Sequence, residues 1–337
     1  MMGIGKGWGK AIITTICLWK GVRFMTWFLK TVASVLAFFI FSASGEIAAY
    51  SPIDKDNLQT SFTVISDGHL EGNNSERHHN YGKGLLDMAA AEAKSSALVM
   101  LGDNTMNGQA FETSMLYGLI DKYNTIENVL MAAGNHEICP GKHNSGDYDD
   151  LKNRFIKYNN AFLNHKIENL YHSAMIDGYH FIILASDKDA GLAQYISPEQ
   201  FAWLDQELQA AAESEKPVFL FSHWPLNDVF ADVWQEGHVG EQSTELYNLL
   251  TKYDNRIFFF TGHLHMGVFE NGYGIDNSEN ITYINVPSFG SENDDGDADV
   301  QDTGMGLQVE VYRAEIVVRI RNFVRHEWTD FEYHFDI

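Results

Sequence analysis

The chain has 337 residues, 45% hydrophobic and 20% charged, with 28 Gly and 6 Pro, a composition that excludes disordered, collagen-like and polytopic membrane proteins and suffices for a full core. Its 23 Lys and Arg face 46 Asp and Glu, a net charge of −23, which repels phosphate backbones and anionic lipid heads and argues against non-specific nucleic-acid binding. Cys17 and Cys139 are the only cysteines, too few for a disulfide scaffold or a thiolate zinc site, so any metal must be held by oxygen and nitrogen.

The first 45 residues carry Lys6, Lys10, Lys20, Arg23 and Lys30 and no acid. Within them residues 31–45, TVASVLAFFIFSASG, are shorter than the roughly 20 apolar residues of a spanning helix and suit the core of a signal peptide. Ser42, Ala43, Ser44 and Gly45 offer a cleavage site, and a start at Met25 would already give a complete leader. The expectation is therefore export, with 1–45 as a signal peptide or signal anchor. In the anchored case Trp19, Phe24, Trp27 and Phe28 would lie at the membrane interface, and the leader would be the sole membrane contact. Without the leader, residues 46–337 carry a net charge of −28 and the single thiol of Cys139, which suits a bacterial secreted or cell-surface protein that folds without disulfides. Asn73 and Asn280 head sequons that matter only in a glycosylating host.

No repeat or linker divides residues 46–337, which read as one domain. Apolar runs at 62–66, 97–101, 128–133, 218–222 and 256–261 have the length of buried strands. Helical periodicity covers 82–94 and 110–123, and Ser197-Pro198-Glu199-Gln200 predicts a capping box with an N1 proline on a helix to about residue 213. This alternation argues for a largely parallel sheet covered on both faces. After Gly267, runs at 281–286, 306–312, 315–320 and 332–336 predict antiparallel strands of a second sheet, with 291–302 as a loop between them.

Each of the five early runs ends in polar, metal-competent residues, so one crevice at the strand ends receives them all. They are Asp67-Gly68-His69, Gly102-Asp103-Asn104, Gly134-Asn135-His136-Glu137, Ser222-His223-Trp224-Pro225 and Gly262-His263-Leu264-His265. Asp67 with His69, and His263 with His265, would project to one side of an extended backbone and bite one cation. Two carboxylates, an amide oxygen and four imidazoles are too many for one four-coordinate ion and suit two ions with a shared carboxylate, the arrangement that clamps an in-line phosphoryl displacement.

These motifs, in this order over 62–265, resemble the calcineurin-like metallophosphoesterase family. The resemblance implies an α/β (α+β) fold, a four-layer αββα sandwich with two mixed sheets of the metallo-dependent phosphatase type. It implies that Asp67, His69 and His265 bind a first metal, that Asn135, His223 and His263 bind a second, and that Asp103 bridges them. His136 would protonate the leaving oxygen, with metal-bound hydroxide as nucleophile. The ions would be two divalent cations, Mn, Fe or Zn. The second motif departs from that of protein Ser/Thr phosphatases: Gly102-Asp103-Asn104-Thr105-Met106-Asn107-Gly108 lacks both the phosphate-binding Arg and the Asp that orients the catalytic His. Another acceptor must hold the ring of His136. Met106 also excludes the ligating Tyr of purple acid phosphatases, and the chain is most similar to a bacterial phosphodiesterase-like branch.

Outside the motifs, Arg77, His78 and His79 follow the first metal motif, and Arg77 and His78 are candidate contacts for a substrate phosphate, although a polar loop is the plainer reading. Lys142, His143 and His238 are weaker cleft candidates, Cys139 reads as a small buried hydrophobe, and 291–302 as a solvated acidic loop despite EF-hand-like offsets. The expected activity is that of a phosphoric ester hydrolase acting on a small phosphate ester, a phosphodiesterase first and a phosphomonoesterase or nucleotidase second. A non-catalytic metal-binding surface protein is the rival from another class. A nuclease is disfavoured by the acidic charge and the lack of a basic strip.

Overall fold

A computed structural model describes residues 47–139, 146–230, 239–265, 274–290 and 303–337. The leader 1–45, the acidic loop 291–302 and Lys142, His143 and His238 lie outside the described residues. In chain order the first half contains β1 (Thr60–Ile65), α1 (Ser75–Ala89), β2 (Ala97–Leu101), α2 (Ala110–Tyr123), β3 (Asn128–Ala132), α3 (Asn135–Ile138), α4 (Tyr148–Phe162), β4 (His172–Ile176) and β5 (Tyr179–Ile183). The second half contains α5 (Pro198–Ala211), β6 (Val218–Ser222), α6 (Ser243–Leu250), β7 (Ile257–Thr261), β8 (Ile275–Ser278), β9 (Ile281–Asn285), β10 (Met305–Val311), β11 (Glu315–Asn322) and β12 (Glu327–Asp336). Among the described residues no helix is long and apolar enough to cross a membrane.

Two six-stranded mixed sheets form, ordered β12-β11-β10-β1-β2-β3 and β4-β5-β6-β7-β9-β8. Strands β1, β2 and β3 run parallel, as do β5, β6, β7 and β9. The five motif-bearing strands are thus split between two sheets rather than gathered in one. The tail strands also differ from expectation. β10, β11 and β12 extend the first sheet antiparallel from β1, while β8 and β9 complete the second.

Strands buried on both faces explain the unbroken apolar runs. Between the sheets, Phe62 meets Phe219 and Phe181 edge-on at 4.7 and 5.0 Å, and Phe221 stacks on Phe260 at 5.2 Å. The outward residues Leu98, Met100 and Met131 pack with α1, α2 and α4. Val218, Leu220 and Phe259 pack with α5 and α6 on the opposite side. The result is helix, sheet, sheet, helix, the αββα order that the family resemblance implies. Each large apolar side chain buried in these three layers contributes about 1.5–3 kcal/mol.

Local signals account for the other departures. Helix α1 starts at Ser75 because Asn74 Oδ1 caps the amide of Arg77 at 3.1 Å, so residues 77–79 lie in a helix and not in a loop. Ser197 Oγ caps Gln200 N at 3.1 Å as expected, but only half of the capping box forms. The Gln200 side chain instead bridges Ala185 and Asp187, and Asp187 takes the Ser197 amide. The hairpin β4–β5 turns at Asp177 and Gly178 with φ of 51° and 79°, a turn that the Asp-Gly pair favours.

Candidate metal centre

The parallel strands of both sheets end at one rim, and the residues that follow them leave regular structure abruptly. Asp67, His69, Asp103, His263 and His265 all have positive φ, between 41° and 69°. Non-glycine residues seldom adopt this region, and such strain persists where surrounding structure dictates it. Convergence of the two i, i+2 pairs is therefore imposed by left-handed turns and not by extended backbone, contrary to the sequence expectation. Close backbone approach fixes the adjoining glycines: a Cβ on Gly134 would stand 2.2 Å from Asp103 Oδ1, and one on Gly262 2.7 Å from Asp67 Oδ2.

Three groups of donors lie side by side, each with all its candidate ligand atoms within 4.8 Å: Asp67, His69 and His265; His69, Asp103 and His136; and Asp103, His223 and His263. In the first, Asp67 Oδ1 is 3.3 Å from His265 Nε2, which is 3.0 Å from His69 Nε2. In the third, His223 Nε2 is 3.2 Å from both Asp103 Oδ2 and His263 Nδ1. Separations of about 3.0–3.4 Å are the edges of an octahedron or tetrahedron with bonds of about 2.1 Å. Asp67 Oδ1 and Asn135 Oδ1 are buried without a hydrogen-bond partner, an arrangement that is costly unless a cation completes it. The donor set therefore fits metal.

Neighbouring groups leave the right atoms available. Asp67 Oδ2 is occupied by Ser66 Oγ at 2.6 Å and the His263 amide at 3.0 Å, and Asp103 Oδ1 by the His136 amide at 2.8 Å, so the other oxygen of each carboxylate faces the imidazoles. His223 donates Nδ1–H to the Leu101 carbonyl at 2.9 Å, which turns Nε2 inward.

Electrostatics identify a place that demands positive charge. Burial opposes ionisation of Asp67 and Asp103, yet the imidazolium charges of His265 and His223 for the first, and of His223 and His136 for the second, hold both carboxyls well below the usual range. Burial likewise opposes the charge on His223, but Asp103 and Asp67 outweigh it and push the ring up to about 9. Burial dominates at His69 and His263, which fall to about 4 and about 3. Without metal, a proton on His223 does the work of a cation between two buried carboxylates.

His136 stands at the mouth with its side chain 34% exposed and its Nε2 3.9 Å from Asp103 Oδ2. Its Nδ1 meets the backbone carbonyl of Met106. A carbonyl only accepts, so Nδ1 carries the hydrogen and Nε2 is left to face a substrate. Met106 thus supplies through its main chain what its side chain lacks, a feature with no sequence signature. Ser66, Ser288, whose Oγ donates to the Asp67 carbonyl at 3.0 Å, and Tyr81, whose hydroxyl donates to Asn104 O at 3.1 Å, are further supports that the sequence reading missed. Ser66 adjoins a motif residue, but one sequence offers no reason to single it out.

The two substrate candidates separate. Arg77 remains at the site, its Nη1 donating to the His69 carbonyl at 2.6 Å. His78 is buried and its Nε2 meets the Glu71 carbonyl at 2.6 Å, so it serves the loop and not the cluster of candidate donors. Cys139 is half-buried, with Sγ donating to Gly191 O at 3.2 Å, and burial pushes its thiol up to about 12.

The described residues thus form a two-sheet sandwich whose strand ends gather buried carboxylates and imidazoles into a donor set that fits a metal. Residues 60–267 match the model of the calcineurin-like phosphoesterases, and the chain belongs to that family. Among solved structures it is similar to a dimetal phosphatase from Danio rerio, with a TM-score of 0.60 and 12% identity over 83% of this chain and 99% of that one. It is also similar to GAP50, the anchor in the inner membrane complex of Plasmodium, with a TM-score of 0.55 and 11% identity over 82% and 89% of the two chains. No curated protein matches significantly.

Proposed function

We propose that the protein is an exported phosphodiesterase with a binuclear metal centre. Its first ion would be held by Asp67, His69 and His265, its second by Asn135, His223 and His263, with Asp103 between them. The observation that supports this most is the pair of buried carboxylates whose inward oxygens face imidazoles at coordination-edge spacing. Bound there, divalent Mn, Fe or Zn would supply Lewis acidity toward water and the phosphoryl oxygens. His136, its Nδ1–H held by Met106 O, presents Nε2 to give a proton to the departing oxygen. Arg77 donates Nη1 to the His69 carbonyl, and in this reading its guanidinium offers positive charge to a phosphate oxygen. The second motif has Met106 and Asn107 in place of the Asp and a nearby phosphate-binding Arg, which favours diesters with their single negative charge over dianionic monoesters.

Export rests on the basic, then apolar leader described above. The Plasmodium neighbour is an anchor, but an intact set of donors weighs against a purely non-catalytic role here. The test is hydrolysis of bis(p-nitrophenyl) phosphate beside p-nitrophenyl phosphate by the full chain with added Mn, with His136→Ala as control. Metal-dependent diester cleavage is expected. Preference for the monoester would replace the phosphodiesterase with a phosphatase, and no turnover in a protein that fails to bind metal would discard the enzyme reading.

A further inference from the structure

We infer that Glu137 is a positioning residue that holds His136 in its working orientation by clamping the loop whose carbonyl receives the ring. Glu137 is buried one residue beyond His136. Its Oε1 accepts from the amide and hydroxyl of Thr105 at 2.8 and 2.9 Å, and its Oε2 from the Gly134 amide at 3.0 Å. Thr105 immediately precedes Met106. The Thr105 hydroxyl in turn accepts from the Gly108 amide at 3.1 Å, and the Met106 amide donates to Leu70 O at 3.0 Å. The peptide carbonyl that orients His136 is therefore bracketed: Glu137 holds Thr105 before it, and Glu112 takes the Asn107 amide of the same peptide unit at 2.9 Å.

The chemistry of the clamp calls for a carboxylate. Three donors converge on Glu137, so both oxygens must accept. A glutamine would turn an NH2 group toward either Gly134 N–H or the Thr105 donors, leaving a buried donor without an acceptor. The loop from 105 to 108 would then shift, and the ring whose Nδ1 Met106 O holds would shift with it. In this chain the acid that orients the histidine acts at one remove, through a main-chain carbonyl, and it comes from the histidine's own motif.

This inference rests on the reading of His136 as the proton donor, and the experiment separates the two. Full-length wild type, Glu137→Gln and the milder Thr105→Val are compared for kcat and KM on bis(p-nitrophenyl) phosphate. The metal-free proteins are compared by 15N NMR of the His136 ring, assigned with a His136→Gln variant. Glu137→Gln should lower kcat about 10–100-fold with KM and metal stoichiometry little changed, and should move the Nδ1–H signal out of its hydrogen-bonded position. Thr105→Val should do the same to a smaller degree. A folded Glu137→Gln with wild-type kcat and an unmoved His136 signal overturns the inference, as does a fall in melting temperature alone. Should Glu137→Gln not fold, an unmoved signal and kcat in Thr105→Val overturn it equally. Inactive wild type would sink the functional reading, while the ring signal in metal-free protein would still decide the role of Glu137.

Discussion

Asp103 and His223 follow strands of different sheets, yet Asp103 Oδ2 and His223 Nε2 stand 3.2 Å apart. The candidate centre is a seam: β2 delivers the carboxylate, β6 the imidazole, and the phenylalanine layer between the sheets fixes their separation. Because Asp103 also belongs to the donor group of His69 and His136, its removal should affect both halves of the site. Asp103→Ala should therefore keep its far-ultraviolet circular dichroism, bind less than the wild-type complement of metal and lose hydrolysis. Full activity in a folded variant would exclude a shared carboxylate.

Metal uptake should release protons. In metal-free protein the carboxylates of Asp103 and Asp67 overcome burial and keep His223 protonated up to about pH 9, whereas a metal requires its neutral form. Apparent affinity should therefore rise with pH, by up to about tenfold per unit for each displaced proton, until His223 deprotonates unaided. Calorimetry of Mn binding at pH 7 in two buffers of different ionisation enthalpy counts the protons. A count of zero would show that the site is already deprotonated.

The five polar endings were legible because each is a short local signal following an apolar run. Helix α2 was legible end to end from its helical periodicity, which is also a local signal. Sheet membership was not, because β10 pairs with β1 across most of the chain, Phe62 lying opposite Val309, and non-local packing makes that choice. Helix α1 was predicted to begin at residue 82 because the polar run Arg77-His78-His79 masks its inner stripe, His78, Tyr81, Leu85 and Met88. The hairpin β4–β5 carried its Asp-Gly signal but has partly exposed strands with a weak apolar pattern. The carbonyl of Met106 is a backbone atom, and residue identity does not disclose it.

Helix α1, which carries Arg77 and Tyr81, is pinned at its far end by Asp87. Arg321 donates Nε and Nη2 to the two oxygens of Asp87 at 2.6 and 2.8 Å, and His326 Nδ1 lies 2.9 Å from Oδ1. The Arg321 guanidinium also lies 4.0 Å over the Tyr50 ring. Asp87→Ala would strand a buried guanidinium and should cost about 3–5 kcal/mol in urea denaturation. Asp87→Leu with Arg321→Met removes both charges and should cost less. A loss below about 1 kcal/mol in the single variant would mean that water enters to solvate Arg321.

Where the sheets approach at their other edge, His172 on β4 lies 3.1 Å from the Met131 carbonyl on β3 through Nε2 and 3.1 Å from His165 Nε2 through Nδ1. The carbonyl must accept, so His172 carries its proton on Nε2, and Nδ1 receives the hydrogen of His165 Nε2. Burial accordingly pushes His172 down to about 3 from 6.5, the Met131 bond opposing and His165 adding to the fall. Above pH 6.5 the ring is neutral in both folded and unfolded chains, and its contribution to stability is intact. As the pH drops below 6.5 the unfolded chain binds a proton that the folded chain refuses, so stability is lost progressively toward about pH 3, with a slope of up to about 1.4 kcal/mol per unit. His69 and His263 act in the same direction, so the informative quantity is the difference between wild type and His172→Gln. That difference should change with pH between 6 and 4, and stability profiles that run parallel over this range would show that His172 takes up its proton without unfolding.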